Sequence, residues 1–134
     1  MRHVFVTFLQ GLIFASVSVL PAVSEGAILR FDCRETAICQ SDGTCQSDHG
    51  QTVFTLAPQE IDADGRGDYL ISSDGGDRRP ATGTARTGPY VWTDRSGQER
   101  VLTILSESAA LLVSRDPSAP DATTVSFLSC SIIF

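Results

Sequence analysis

Apolar and polar residues alternate along most of the chain beyond residue 26, with a period of two rather than 3.6. In residues 27–34, Ala27, Leu29, Phe31 and Cys33 fall on one face, and Ile28, Arg30, Asp32 and Arg34 on the other. That is the signature of a half-buried strand. Residues 51–57 place Phe54 and Leu56 together and run up to Pro58. Residues 67–73 carry Tyr69-Leu70-Ile71, residues 81–86 form a weaker Ala/Thr segment, and residues 90–94 read Tyr-Val-Trp-Thr-Asp. Residues 100–105 and 109–114 are the most apolar internal strands, and residues 122–132 are the last.

Turn residues fall between these segments. Asp62-Ala63-Asp64-Gly65, Asp74-Gly75-Gly76-Asp77 and Asp94-Arg95-Ser96-Gly97 combine Asp, which bonds its own backbone, with Gly, which supplies positive φ. The stretch from Asp116 to Asp121 holds two prolines and reads as a rigid loop. Residues 72–88 are the least patterned, and the sequence allows one helical turn near Thr36 to Ile38 without forcing it. About eight short antiparallel strands in a meander predict an all-β domain, a closed barrel or barrel-like sandwich.

The first residues change the picture from fold to compartment. Met1-Arg2-His3 is a short basic start, residues 4–20 are mostly apolar, and Ala22 and Ser24 offer a signal-peptidase spacing. Thr7, Gln10, Gly11, Ser16 and Ser18 interrupt the apolar run, which argues against a membrane anchor. The expected organisation is a signal peptide over residues 1–24 and one β-domain over 25–134, periplasmic or secreted, with no membrane span after cleavage.

Four cysteines fit an oxidising compartment. Cys33 shares a face with Leu29 and Phe31, and Cys130 shares one with Leu128 and Ile132, so both point inward. In a closed meander the first and last strands are adjacent, which predicts a Cys33–Cys130 bridge. Cys39 and Cys45 then pair across the Asp42-Gly43 turn. A metal site built from these cysteines and His49 has looser spacing than structural zinc requires, so no metal and no cofactor is expected. A redox Cys-x-x-Cys motif is absent.

The chain has ten basic residues against sixteen acidic ones and a formal net charge of −6. The charge is one unit more negative once Arg2 leaves with the signal. Nucleic acid demands the opposite surface and is excluded as a partner. The Asp62 to Ser73 segment brushes against a calcium loop but has Arg66 and Ser73 where carboxylates are needed. His49, the only histidine after the signal, lies in a polar loop and faces no Gly-x-Ser-x-Gly nucleophile motif. A small hydrolase with a site near His49 is therefore an alternative class, and the main reading has no catalytic residue. The C-terminal strand ending in Phe134 carries an outer-membrane barrel signal. Strands nearer six residues than the ~9–11 a membrane barrel uses, with Arg, Asp and Thr outward, weigh against it.

Tyr90 and Trp92 alternate on one strand face, which suits core packing or a ligand-facing wall. Arg86 and Arg95 flank that strand, and Arg78, Arg79 and Arg86 form a basic island. Tyr90, Trp92, Arg86 and Arg95 are the candidate binding residues for an unknown protein or small ligand.

Phe31-Asp32-Cys33, the Cys39 to Cys45 loop, Phe54-Thr55-Leu56-Ala57-Pro58, Gly88-Pro89-Tyr90-Val91-Trp92-Thr93 and Phe127-Leu128-Ser129-Cys130 span the mature domain. In that order they resemble small exported disulfide-bonded β-proteins of Gram-negative bacteria, a resemblance that brings no activity with it. Cys33, Cys130 and Trp92-Thr93 are also distantly similar to the outline of bacterial inhibitors of c-type lysozyme. That resemblance implies a small β-barrel and lysozyme as a partner. The family places Ser-Gly before the aromatic strand and Lys-Gly after Trp-Thr. Here those stretches are Thr82-Gly83-Thr84-Ala85 and Asp94-Arg95-Ser96-Gly97. The reading is an exported, non-catalytic binding or envelope protein, with lysozyme inhibition as the first alternative.

Overall fold

The computed structural model describes residues 27–133 of the chain, so the expected signal peptide lies outside the described residues. Nine strands follow one another: β1 (Leu29–Gln40), β2 (Cys45–Gln46), β3 (Gln51–Ile61), β4 (Gly67–Ser73), β5 (Arg79–Gly83), β6 (Tyr90–Thr93), β7 (Glu99–Ser106), β8 (Ala109–Asp116) and β9 (Ala119–Ile133). They form an antiparallel meander in the order β2-β1-β3-β4-β5-β6-β7-β8-β9, which β1 and β9 close by pairing with each other. The result is a closed eight-stranded barrel with β2 as a short addition.

Alternation decides what the barrel encloses. Phe31, Cys33, Phe54, Leu56, Tyr69, Ile71, Tyr90, Trp92, Leu102, Leu112 and Leu128 all point inward and are buried. The interior is thus packed with apolar side chains, whereas outer-membrane barrels keep a polar interior. Among the described residues no helix is long and apolar enough to cross a membrane.

Cys33 is bonded to Cys130 across the closing β1–β9 pair, where the two residues are direct register partners. Cys39 is bonded to Cys45 across the β1–β2 turn.

Three elements differ from the sequence expectation. β1 runs on through Thr36 to Gln40 with a bulge between Glu35 and Ala37, in place of a helical turn. The long β9 beside it supplies backbone partners that local sequence does not reveal. β3 passes Pro58 with a bulge between Pro58 and Glu60, beyond the last β1–β3 pair at Leu29 and Leu56. A missing N–H is tolerated at such a position. The expected loop at Asp116 to Asp121 is a tight turn, with Asp116 opposite Ala119 and β9 continuing through Pro120.

Each of four hairpin turns begins with an aspartate that ties down the turn. Asp42 accepts from the Thr44 N–H and hydroxyl, and Asp116 from the Ser118 N–H and hydroxyl. Asp62 accepts from the N–H groups of Asp64 and Arg66. Asp94 accepts from the Ser96 N–H and hydroxyl and from the Gln98 N–H. The Thr44 and Ser118 hydroxyls chiefly hold Asp42 and Asp116 below the usual carboxylate range, and the Arg66 N–H does so for Asp62. For Asp94, burial acts upward but hydrogen bonds from Ser96, Gln98 and Arg100 outweigh it.

A carboxylate with a lowered folded pKa stabilises above its unfolded value, near pH ~4, and the contribution disappears as pH falls through the folded value. The barrel should therefore hold a constant urea midpoint from neutral pH to about pH 5 and lose stability below about pH 4. A midpoint unchanged down to pH 2 would show that these turns contribute nothing.

Candidate functional site

The two barrel ends differ in chemistry. At one end lie the β3–β4 turn, the β5–β6 loop and the β7–β8 turn. Tyr69 and Tyr90 meet edge to face inside it with ring centroids 5.0 Å apart. The Tyr69 hydroxyl donates to the Gly65 carbonyl at 2.6 Å, and the Tyr90 hydroxyl donates to the Arg86 carbonyl. Burial raises both phenols above their ordinary pKa. Arg86 lies over Gly65, where a Cβ would come within 2.5 Å of the Arg86 Cγ, and its guanidinium donates to the Ala63 carbonyl. Two tyrosines under a turn locked to a loop seal this end.

At the other end lie the 74–78 loop, the β6–β7 turn, the β8–β9 turn and the β1–β3 connection. Here the inward positions become polar. Glu35 follows Cys33 on the inner face of β1, and Arg100 follows Leu102 on that of β7. With Thr52, Ser73, Asp74, Trp92, Asp94 and Leu112 they line a hollow of about 240 Å³. A second hollow of about 360 Å³, between the 74–78 loop and the β6–β7 turn, shares Ser73, Trp92 and Asp94 with the first. Arg79, Asp77 and Arg95 stand on its rim, and Arg95 is paired with Asp77 across it.

Arg100 is the best-held charge at this end. It meets the Asp94 carboxylate at 2.9 Å, the Ser114 hydroxyl at 2.9 Å and the Gln98 side-chain oxygen at 3.0 Å. Arg79 donates to the carbonyls of Thr93 and Asp94. Trp92, 9 % exposed, closes the apolar core beneath these groups.

The four candidate binding residues from the sequence therefore separate. Trp92 and Arg95 belong to the open end. Arg86 belongs to the sealed end, and Tyr90 is completely buried there with its hydroxyl occupied. The stretches matching the two lysozyme-inhibitor loops lie at opposite ends of the barrel: Thr84 and Ala85 in the β5–β6 loop, and Arg95 in the β6–β7 turn. His49 is exposed in the segment between β2 and β3. Its neighbour Asp48 accepts from the N–H groups of His49 and Gly50, so that carboxylate faces its own backbone. Among the described residues no group of three metal-ligating side chains is present.

Sequence reasoning missed Glu35 and Arg100, although a signal was there. Each occupies an inward position of an alternating strand, in phase with Cys33 and Leu102. A charge in phase with the core marks a place where the core ends.

Comparison with protein families, with curated proteins and with solved structures returns no match for this chain.

Proposed function

We propose that this is an exported, non-catalytic binding protein of the periplasm or extracellular medium, as in Gram-negative bacteria, and that its ligand enters the open end of the barrel. The observation that carries the reading is the asymmetry of the two ends. One is sealed by Tyr69, Tyr90 and the Gly65–Arg86 contact; the other is a polar hollow above a tryptophan. Barrel mouths are common ligand sites because a rigid wall fixes polar groups around an apolar floor. Two disulfides suit an oxidising compartment.

Native mass spectrometry of the protein recovered from its own cells tests this. A retained small molecule, lost when Trp92 is replaced by Ala, is the expected result. Identical bare masses for wild type and variant would remove the reading.

Inhibition of a c-type lysozyme is the second reading. Arg95, exposed on the rim two residues after Thr93 with Asp94 between them, favours it, and the acidic charge would steer the domain toward a basic enzyme. A cell-wall lysis assay with excess domain and with Arg95→Ala decides it. Lysis undiminished by wild type eliminates lysozyme as the partner.

A further inference from the structure

We propose that the deeper hollow at the open end takes an alkylammonium group, held between the Glu35 carboxylate and the Trp92 indole. The inference rests on the open end being the ligand site and assigns the chemistry of what enters.

Of the charged side chains in this hollow, Arg100 and Asp94 pair with each other, while Asp74 and Glu35 have no ion-pair partner among the described residues. Arg100 is held by Asp94, Ser114 and Gln98, and Asp94 is held by Ser96, Gln98 and Arg100. Asp74 accepts from the Val53 N–H. Glu35 has its backbone N–H on the Gly50 carbonyl, but its carboxylate has no ion-pair partner among the described residues. The β-bulge after Glu35 fixes where that carboxylate stands, and bulges commonly re-aim a side chain beside a site.

Gly50 makes room for it. A Cβ at residue 50 would lie 2.8 Å from Glu35 Oε2, and the Gly50 backbone is in no region that only glycine favours. A side chain at residue 50 would therefore displace the Glu35 carboxylate from its present place.

An unpaired carboxylate lining the same hollow as an indole fits a cation carrying a short apolar stem, since the ring attracts the charge and the carboxylate bonds it. An anion would meet Glu35, Asp74 and Asp94 with Arg100 already engaged. The volume of about 240 Å³ takes a head group and a few carbons, and the adjoining hollow past Trp92 leaves a route for a tail. A free amine and an ethanolamine lipid head group share this chemistry.

The test is titration of Trp92 fluorescence, the chain having one tryptophan, in the disulfide-bonded protein. The probe is n-butylammonium, with butyrate and butanol as controls. Expected is a saturable response to butylammonium alone, weakened about tenfold or more in Glu35→Gln and in Gly50→Ala. Thermal melts confirm that Glu35→Gln, which keeps the side-chain shape, remains folded. Flotation with phosphatidylethanolamine vesicles, lost in Glu35→Gln, assigns the lipid source. A soluble-amine response without flotation assigns a free amine.

Equal butylammonium affinity in Glu35→Gln overturns the proposal. A saturable response to butyrate or butanol in place of the amine also overturns it but leaves the open end a ligand site. Silence toward every probe, with a bare native mass, overturns both.

Discussion

Replacing Cys33 and Cys130 together by alanine will lower the stability of the barrel by on the order of 4 kcal/mol, while replacing Cys39 and Cys45 will cost about 2 kcal/mol. The difference comes from what each bridge constrains in the unfolded chain. Cys33 and Cys130 are 97 residues apart in sequence, Cys39 and Cys45 only 6. Loop-closure entropy grows with the logarithm of that separation. Location adds to it: Cys33 is buried in the core and its bridge joins the two strands that close the barrel, whereas the short bridge staples an exposed turn. Urea denaturation of both double variants under identical conditions measures the pair. Equal losses, or a larger loss for the short loop, would contradict the assignment of Cys33–Cys130 as the main covalent restraint.

The second large effect belongs to Tyr90. Tyr90→Ala should cost about 3–5 kcal/mol, the range for deleting a large aromatic from a packed interior. Tyr90 is completely buried, packs edge-on against Tyr69 and spends its hydroxyl on the Arg86 carbonyl. Tyr90→Phe keeps the ring and removes only the hydroxyl, at about 1 kcal/mol. Chemical denaturation of the two variants separates packing from hydrogen bonding. A loss below 1 kcal/mol for Tyr90→Ala would mean that the tyrosine pair does not seal that end.

The strands were legible because one physical rule, alternation against a shared core, operates within each segment. Phe54 with Leu56 and Tyr90 with Trp92 could be assigned to the inside without knowing their neighbours. The closing bridge was legible for the same reason, since Cys33 and Cys130 each fell in phase with apolar residues. What local pattern could not supply was anything that depends on a remote partner. β1 continues through Thr36 because β9 lies beside it, and β3 continues through Pro58 beyond its pairing with the first residue of β1, Leu29. The open end was hidden likewise. The Arg100–Asp94–Ser114 network joins a turn to two strands, and Glu35 enters the hollow from a third. Arg86 and Arg95 look equivalent along the chain because both flank the same short strand. Four extended residues separate the ends of a barrel, and the two arginines fall on opposite sides of it.

The pairing of β1 with β9 also sets when the molecule can exist. Synthesis delivers β1 first and β9 last, so the seam cannot form until the whole barrel sequence has been released. Until then β1 and β8 each present an unpaired backbone edge, and edges of that kind recruit other chains. A partially delivered chain therefore cannot close the barrel for as long as its last strand is withheld. Barrel closure is set by chain order, and oxidation of Cys33 with Cys130 then keeps the two closing strands tethered even when the barrel unfolds.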